Sequence, residues 1–236
     1  MKELNCDLHI VGGALTGLLT AYCASGLGYK IIISEKKNII TNKKLLTDTR
    51  TTAIAEGSKD FLDSQGLWRF IKVFAEPIKK IRVIDTTNSS NLNFHNPKPN
   101  SNVGYIVKNS KLIDLLIKKL KTKDNVKFIT GSNSHSIAYE DDKIICFSNK
   151  NKINSKLIIA ADGKNSTIRK ILGTNLYKKN YNEKALVINF FHEKPHNNLA
   201  YEFFLKTGPL AILPMKKDNN KNQSAMIWSN KSEAVD

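Results

Sequence analysis

The sequence predicts an α/β (α+β) fold in which a βαβ unit is combined with an interleaved mixed or antiparallel sheet. A short strand predicted at 7–11 leads through a glycine-rich turn into a helix predicted over 15–27. The β-branched run at 29–34 predicts a buried second strand, which completes the βαβ unit. Helices are also predicted at 52–65 and 109–120 from apolar spacing.

The remaining elements are predominantly short strands, concentrated in the last third of the chain. They are predicted at 78–85, 92–94, 126–130, 136–139, 144–147, 157–160, 185–191, 199–205, 210–213 and 225–228, with a polar turn at 216–223. Because these strands separate parts of the βαβ domain, we expect discontinuous domains.

The composition excludes some classes of protein. Lysine and arginine total 37 against 21 acidic residues, a net charge of +16, but only four of the 37 are arginines. Base readout and bidentate phosphate recognition favour arginine, so no nucleic-acid partner is expected. A solvated basic surface is the favoured interpretation, with a membrane-facing basic patch as the alternative. The three cysteines (Cys6, Cys23 and Cys146) form no disulfide framework and fit a reducing cytosol.

The turn after the first strand has dinucleotide-binding spacing. In such turns one glycine makes the bend, a second lets the pyrophosphate approach, and a third allows close helix–strand packing. Gly12, Ala14 and Gly17 occupy these places, so the second glycine is replaced by alanine. Glu35 ends the second strand, where an acidic residue binds ribose hydroxyls. The pattern indicates a Rossmann-like site without distinguishing NAD from FAD, and a purely structural strand–turn–helix is the alternative.

A second candidate segment lies downstream. Asp162 and Gly163 follow the strand predicted at 157–160 and precede a helix capped by Asn165 or Ser166. The Asp162 carboxylate can accept hydrogen bonds from cofactor hydroxyls, or the segment is only a capped helix. Arg50 precedes the helix predicted at 52–65, and by itself its position favours an exposed surface residue. No metal site is expected, because most of the histidines are isolated and the spacing of His192 and His196 suits a metal only on a helix, whereas these two lie at a predicted strand end.

The whole chain resembles the flavin-dependent aromatic hydroxylases, and within them the UbiH-type ubiquinone-biosynthesis hydroxylases. The matching segments, in family order, are Val11–Gly17, Glu35, Asp48–Arg50, Phe61–Trp68, Gly104–Asn109, Leu157–Arg169 and Gly208–Pro214. The resemblance implies FAD contacts and a substrate cavity. The implied FAD-binding residues are Gly12, Gly13, Ala14, Gly17, Glu35, Arg50, Asn109, Asp162 and Gly163, and the cavity residues are Gly208, Pro209 and Leu210.

The resemblance also implies a reaction. NAD(P)H reduces FAD, O2 forms a flavin hydroperoxide, and a polyprenylated phenol of ubiquinone biosynthesis is hydroxylated without a dedicated catalytic residue or a metal. We expect a cytoplasmic protein with peripheral contact to the inner membrane and to other ubiquinone-biosynthesis proteins. Residues 1–76 and 98–172 are expected to form the FAD-binding domain, and 77–97 and 173–236 the sheet of the substrate domain, incomplete at its C-terminus.

Two alternatives remain open from the sequence. Family members carry a third cofactor segment, Gly-Asp-Ala-Ala-His, and none occurs in these 236 residues. The chain is therefore expected to be truncated, and a non-catalytic remnant of such an enzyme is one alternative. The other is an unrelated NAD-binding Rossmann protein, in which Asp162-Gly163 and Gly208–Pro214 have no required role.

Overall fold

The protein is described by a computed structural model that covers residues 1–38, 48–88 and 90–231. It divides into two compact units, each built from two segments: Met1–Thr47 with Leu112–Tyr177, and Asp48–Lys111 with Lys178–Asp236. The predicted fold class is confirmed. The boundaries expected after residues 76, 97 and 172 differ from these divisions, and the assignment of a cofactor and a substrate domain stays a prediction.

The described elements follow one another in a strand-rich order. They are β1 (Lys2–Val11), α1 (Leu15–Ser25), β2 (Ile31–Glu35), β3 (Thr51–Ala55), α2 (Glu56–Ser64), α3 (Trp68–Ile71), β4 (Glu76–Ile78), β5 (Lys80–Asp85), β6 (Ser90–His95), β7 (Gly104–Lys108), α4 (Asn109–Lys121), β8 (Val126–Thr130), β9 (Ser134–Glu140), β10 (Lys143–Ser148), β11 (Asn151–Ala160), α5 (Thr167–Ile171), β12 (Glu183–His192), β13 (Leu199–Leu205), β14 (Gly208–Asp218) and β15 (Lys221–Lys231).

The first unit is built on a six-stranded sheet with the order β8–β2–β1–β11–β10–β9. The first four strands of this order are parallel, and β10 and β9 continue the sheet antiparallel. The predicted βαβ unit is β1–α1–β2. Ile31, Ile32 and Ile33 of β2 are at most 2% exposed, as expected of a parallel strand covered on both faces.

The predicted amphipathic helix at 109–120 is α4. Its buried residues recur every three or four positions: Leu112, Ile113, Leu116, Ile117 and Leu120. This spacing places them on one face of the helix, which explains why the sequence pattern located the helix within one residue of its observed end. In the part of the chain that the structure describes, no helix has the length and apolarity needed to cross a membrane.

The second unit contains a six-stranded sheet with the order β12–β15–β14–β13–β5–β6 and a three-stranded sheet with the order β3–β7–β4. All neighbours in the larger sheet are antiparallel except β13 and β5. A buried cluster joins the two sheets. It contains Ile78 and Ile106 from the smaller sheet and Ala200, Met215 and Ala225 from the larger one.

The helix predicted at 52–65 and the strand predicted at 78–85 differ from the structure. Residues 51–55 form β3, and the helix predicted from 52 begins only at Glu56, because Thr51–Ala55 pairs with β7. β-Branched Thr51 and Thr52 fit that sheet, and the pairing overrides the helical apolar spacing. The strand predicted at 78–85 is divided between β4 and β5, which belong to different sheets.

The polar turn predicted at 216–223 is shorter in the structure. β14 continues to Asp218 and β15 starts at Lys221, which leaves Asn219 and Asn220 as the hairpin loop. Both asparagines have positive φ, 48° and 62°. Two successive positive φ values are typical of the tight hairpin turns that suit twisted antiparallel strands, so the polar flanks are paired strand.

Candidate functional site

The glycine-rich turn connects β1 to α1, and at Gly12 and Gly17 there is no room for a side chain. A Cβ on Gly12 would lie 2.2 Å from the carbonyl oxygen of Ala161, and Gly12 has a φ of 114°. A Cβ on Gly17 would lie 1.9 Å from the carbonyl oxygen of Gly12. Gly12 therefore lets the turn approach the end of β11, and Gly17 lets α1 approach the turn, as the spacing predicted.

Ala14 is the N-cap residue of α1 and supplies no side-chain cap, and the first turn of α1 carries no acidic residue. The N–H groups at the start of a helix lack intrahelical partners and carry partial positive charge. The start of α1 is thus open to a phosphate group. Ala14 is itself exposed, so its methyl group does not fill the core of the turn.

Glu35 ends β2 beside this turn. Its Oε2 accepts a hydrogen bond from the backbone N–H of Gly13 at 2.8 Å, and its Oε1 accepts one from the backbone N–H of Lys37 at 3.1 Å. A carboxylate has about four lone-pair positions. Acceptor capacity for a ribose hydroxyl therefore remains, and that contact stays a prediction.

Asp162 and Gly163 follow β11. Oδ2 of Asp162 accepts hydrogen bonds from the backbone N–H groups of Thr167 and Ile168 at the start of α5. Oδ1 is buried and has no hydrogen-bond partner among the described residues. Of the two predicted caps, Ser166 is the one that acts, since its Oγ accepts from the N–H of Arg169 at 3.0 Å. Asp162 therefore caps a helix with one oxygen and leaves the other for a ligand.

These segments meet in one cleft of about 320 Å³ in the first unit. The cleft lies where β1, β2, β8 and β11 have their carboxyl ends, and β1 has β2 on one side and β11 on the other. In parallel sheets, ligands bind at this edge, at the strand whose connections leave in opposite directions. The structure thus brings together Gly12, Ala14, Glu35, Asp162 and Gly163.

Sequence reasoning missed part of the cleft lining. The additional residues include Lys36, Lys37, Ser132, Asn133 and Ser134, whereas Asn165 and Thr167 belong to the segment 157–169 that the sequence had singled out. The strand predicted at 126–130 could have indicated residues 132–134. If that strand is parallel to β2, the residues that follow it lie at the same edge of the sheet as Glu35. Oγ of Ser132 is buried without a hydrogen-bond partner among the described residues, which adds a second unused polar atom.

Residues 5–234 match the family model described as FAD binding domain. The chain belongs to this FAD-binding family. Ubiquinone hydroxylase UbiL of Rhodospirillum rubrum is 27% identical over 97% of this chain and 53% of its own length. The ubiquinone biosynthesis monooxygenase COQ6 of Xenopus tropicalis is 30% identical over 96% of this chain and 52% of its own length. The chain spans about half the length of the curated relatives it matches.

A solved structure shows the same fold. The p-nitrophenol 4-monooxygenase PnpA from Pseudomonas putida DLL-E4 superposes with a TM-score of 0.80 at 16% identity, covering 98% of this chain and 59% of PnpA. This superposition shows the fold alone, and the predicted family resemblance is confirmed by the family model and by the relatives named as ubiquinone hydroxylase and COQ6. The cleft also fits FAD. It has an uncapped helix start for phosphate, glycines at the closest approaches, and two buried polar atoms that have no hydrogen-bond partner among the described residues.

Arg50 and Asn109 lie in the second unit, and the structure brings them together. Pairing of β3 with β7 lets the backbone N–H of Asn109 donate to the carbonyl oxygen of Arg50 at 3.0 Å. The side-chain Oδ1 of Asn109 accepts from Thr52 Oγ1 at 2.6 Å. The Arg50 guanidinium binds Asp48 through Nε and Nη2, and that hydrogen-bonded pair lowers the pKa of Asp48. Arg50 precedes a strand, which corrects the expected helix, and its FAD contact stays a prediction.

Gly208, Pro209 and Leu210 begin β14. A Cβ on Gly208 would lie 2.0 Å from the carbonyl oxygen of Ser229, so this glycine permits close pairing with β15. Leu210 is opposite Trp228 in the strand pairing. Because side chains alternate along a strand, Pro209 and Leu210 lie on opposite faces of the sheet and only one of them can face a given cavity. Their contact with a substrate stays a prediction.

The described residues contain no group of three His, Cys, Asp or Glu side chains arranged to hold a metal ion. His192 and His196 instead have local partners. Nε2 of His192 lies 2.9 Å from Oγ of Ser224, and Nε2 of His196 lies 3.1 Å from the carbonyl oxygen of Met215. These contacts tie the β12–β13 connection to the neighbouring strands.

Proposed function

We propose that the protein is, or forms part of, an FAD-dependent monooxygenase that hydroxylates a polyprenylated phenol in ubiquinone biosynthesis with NAD(P)H and O2. One observation carries the proposal: the glycine turn, Glu35 and Asp162-Gly163 meet in one cleft at the carboxyl ends of parallel strands. The reaction class is supported by the relatives named as ubiquinone hydroxylase and ubiquinone biosynthesis monooxygenase.

In the first unit we assign the FAD contacts by chemistry. The turn Gly12–Ala14 and the start of α1 hold the pyrophosphate, and Gly17 keeps that helix close to the turn. Glu35 accepts a hydrogen bond from the adenosine ribose. Oδ1 of Asp162, which has no partner among the described residues, accepts one from a cofactor hydroxyl while Gly163 keeps the backbone accessible.

In the second unit we assign Arg50 and Asn109 to the flavin side and Gly208, Pro209 and Leu210 to the substrate cavity. Bound FAD supplies the oxygen chemistry, and the protein positions the ring and excludes water. The apolar side chains of β13, of the first part of β14 and of the middle of β15 suit an apolar substrate, because a prenyl chain gains free energy by leaving water.

Two measurements test this proposal. The chain is titrated with FAD while flavin fluorescence is followed, and we expect saturable quenching with one FAD per chain. NAD(P)H and oxygen consumption are then measured with a short-chain prenylphenol. Absence of FAD binding would contradict the cofactor assignment. If the protein binds FAD but consumes no oxygen in response to the prenylphenol, the monooxygenase proposal is contradicted and the cofactor assignment remains intact.

We also propose that the protein acts in the cytoplasm at the inner membrane, beside other ubiquinone-biosynthesis proteins. The net charge of +16 attracts anionic lipid, and a polyprenylated substrate resides in a bilayer. We expect flotation with anionic liposomes in low salt and loss of flotation at about 0.5 M salt, where charges are screened. If the protein stays at the bottom of the gradient while the liposomes float at low salt, the proposal is contradicted.

A further inference from the structure

A second cleft, of about 230 Å³, lies within the second unit, and the proposed function assigns none of its residues. Its floor is apolar and consists of Phe74, Ile106 and Met215. Ile106 and Met215 are 2% and 1% exposed and belong to the cluster that joins the two sheets of this unit. The floor is therefore fixed by the core, and Phe74 is its more accessible side chain.

The rim of this cleft is basic. A shift in the pairing register of β14 places two successive lysines in it. Lys216 and Lys217 are successive residues, and in a regular strand their side chains would point to opposite faces. The pairing of β14 with β15 shifts register between Met215 and Asp218. Such irregularities redirect side chains, and here both lysines line the same cleft.

Two further lysines complete the rim. Lys108 ends β7, and Lys111 lies in the first turn of α4, which carries no acidic residue. A cation at a helix N-terminus is unfavourable because the helix dipole is positive there. An anion in the cleft is attracted both to Lys111 and to the positive end of the helix dipole, and so offsets their mutual repulsion.

The rim lysines greatly exceed the carboxylates that could neutralise them. Asp218 is the one acidic residue of the lining, and its Oδ2 lies 3.4 Å from Nζ of Lys108. Within the described residues Lys111, Lys216 and Lys217 have no ion pair. The cleft therefore combines an apolar floor with three lysines that have no ion-pair partner in the part of the chain that the structure describes.

We propose that this cleft binds the anionic head of a small amphiphile, a phosphate or carboxylate that carries an apolar chain or ring. The head lies among the rim lysines, and the first part of the apolar group lies against Phe74. The cleft volume admits a head group and a few carbons. This proposal does not depend on the proposed function.

The experiment is a calorimetric titration of the 236-residue chain with octyl phosphate. Inorganic phosphate and octanol each lack half of the ligand, and we expect both to bind more weakly than octyl phosphate. The double variant Lys216→Gln/Lys217→Gln should weaken octyl phosphate binding roughly tenfold, since two near charges are removed. The matched control is Lys79→Gln/Lys80→Gln, an exposed adjacent pair in the same unit, which should leave affinity unchanged.

The floor is tested separately with Phe74→Ala. This variant should weaken the binding of octyl phosphate severalfold and leave that of inorganic phosphate unchanged, and thermal unfolding reports whether it remains folded. If Lys216→Gln/Lys217→Gln binds octyl phosphate as tightly as the control Lys79→Gln/Lys80→Gln, the proposal is overturned. A loss of FAD affinity in Lys216→Gln/Lys217→Gln with octyl phosphate binding unchanged would overturn it too, because the lysines would then serve the cofactor.

A third arm identifies the source of the anion. Vesicles containing phosphatidylglycerol are compared with neutral vesicles in a sedimentation assay. Binding that is lost in Lys216→Gln/Lys217→Gln identifies a bilayer headgroup as the ligand. Octyl phosphate binding without vesicle binding identifies a free amphiphile, and both results support an anionic amphiphile site.

Discussion

The backbone N–H of Gly13 donates a hydrogen bond to Oε2 of Glu35, with 2.8 Å between the two atoms. This bond joins the turn after β1 to the end of β2. The glutamate therefore orders the turn by itself, in addition to any ribose that it binds. An acidic residue at this position has a structural role that a sequence motif does not reveal.

The first prediction separates the two roles of Glu35. Glu35→Ala removes the acceptor for Gly13 and should lower the free energy of unfolding by about 1–2 kcal/mol, as well as weakening FAD binding. Glu35→Gln keeps one oxygen for Gly13, so most of the stability should be retained. Urea unfolding and flavin fluorescence titration measure the two effects. Glu140→Ala, an exposed position at the end of β9, is the control and should change neither.

The second prediction concerns the steric demand of the turn. Gly12→Ala places a methyl group 2.2 Å from the carbonyl oxygen of Ala161, so unfolding free energy should fall by about 2–4 kcal/mol. Gly57→Ala is the matched control, since Gly57 lies in α2 with no atom within 4 Å of the added Cβ. It should stabilise the protein by about 0.5 kcal/mol. Equal unfolding midpoints for the two variants would show that the turn relaxes around the methyl group.

The third prediction tests the unused oxygen of Asp162. Asp162→Asn keeps one oxygen to cap α5 and replaces the other with an amide donor. Stability should change by no more than about 1 kcal/mol. FAD affinity should fall roughly tenfold if a cofactor hydroxyl donates to that position. Asp142→Asn, an exposed change of the same chemistry, is the control, and unchanged FAD affinity in Asp162→Asn would refute the assigned contact.

The fourth prediction concerns Arg50, whose side chain is 68% exposed in its ion pair with Asp48. Exposed pairs contribute little, so Arg50→Ala should change unfolding free energy by less than about 1 kcal/mol. FAD affinity should nevertheless fall, and Arg50→Lys should not restore it because lysine lacks the two-pronged guanidinium. Arg82→Ala removes another exposed, hydrogen-bonded arginine of the same unit and serves as control. A loss of stability without loss of FAD affinity would contradict the assignment.

The βαβ unit could be predicted because its information is local. Residues 126–130 and 199–205 were also located to the residue, since β-branched and aromatic runs are bounded there by polar residues or glycine. Residues 51–55 could not be predicted as a strand, because their β-structure depends on pairing with β7, which lies about fifty residues away. Long-range pairing decides such short segments.

The site shows the same division. The turn and Glu35 are close in sequence and their meeting was predicted, whereas Ser132 reaches the cleft only because β8 pairs with β2. The contact between Arg50 and Asn109 likewise depends on the register of β3 against β7. A single sequence contains no direct signal for register, so these neighbours had to come from the structure.

The fifth prediction is a pH dependence of stability that arises from His9. This residue of β1 is fully buried, and Nε2 lies 2.9 Å from Oγ of Ser34. Nδ1 is buried without a partner among the described residues, so a second ring proton would have no acceptor. Burial lowers the pKa of His9 to about 4, below the value near 6.5 of an unfolded chain.

The unfolded chain therefore binds a proton between about pH 6.5 and pH 4 that the folded protein does not bind. The contribution of His9 to stability is complete above pH 6.5 and is lost as the pH falls toward 4, by an amount on the order of 3 kcal/mol. Urea unfolding at pH 7 and at pH 4.5 measures this loss. His9→Gln cannot titrate and should flatten the dependence, whereas His95→Gln, at an exposed position, should preserve it. An NMR titration in which the His9 ring protonates near pH 6.5 would contradict the prediction, since the folded and unfolded states would then bind the proton equally well.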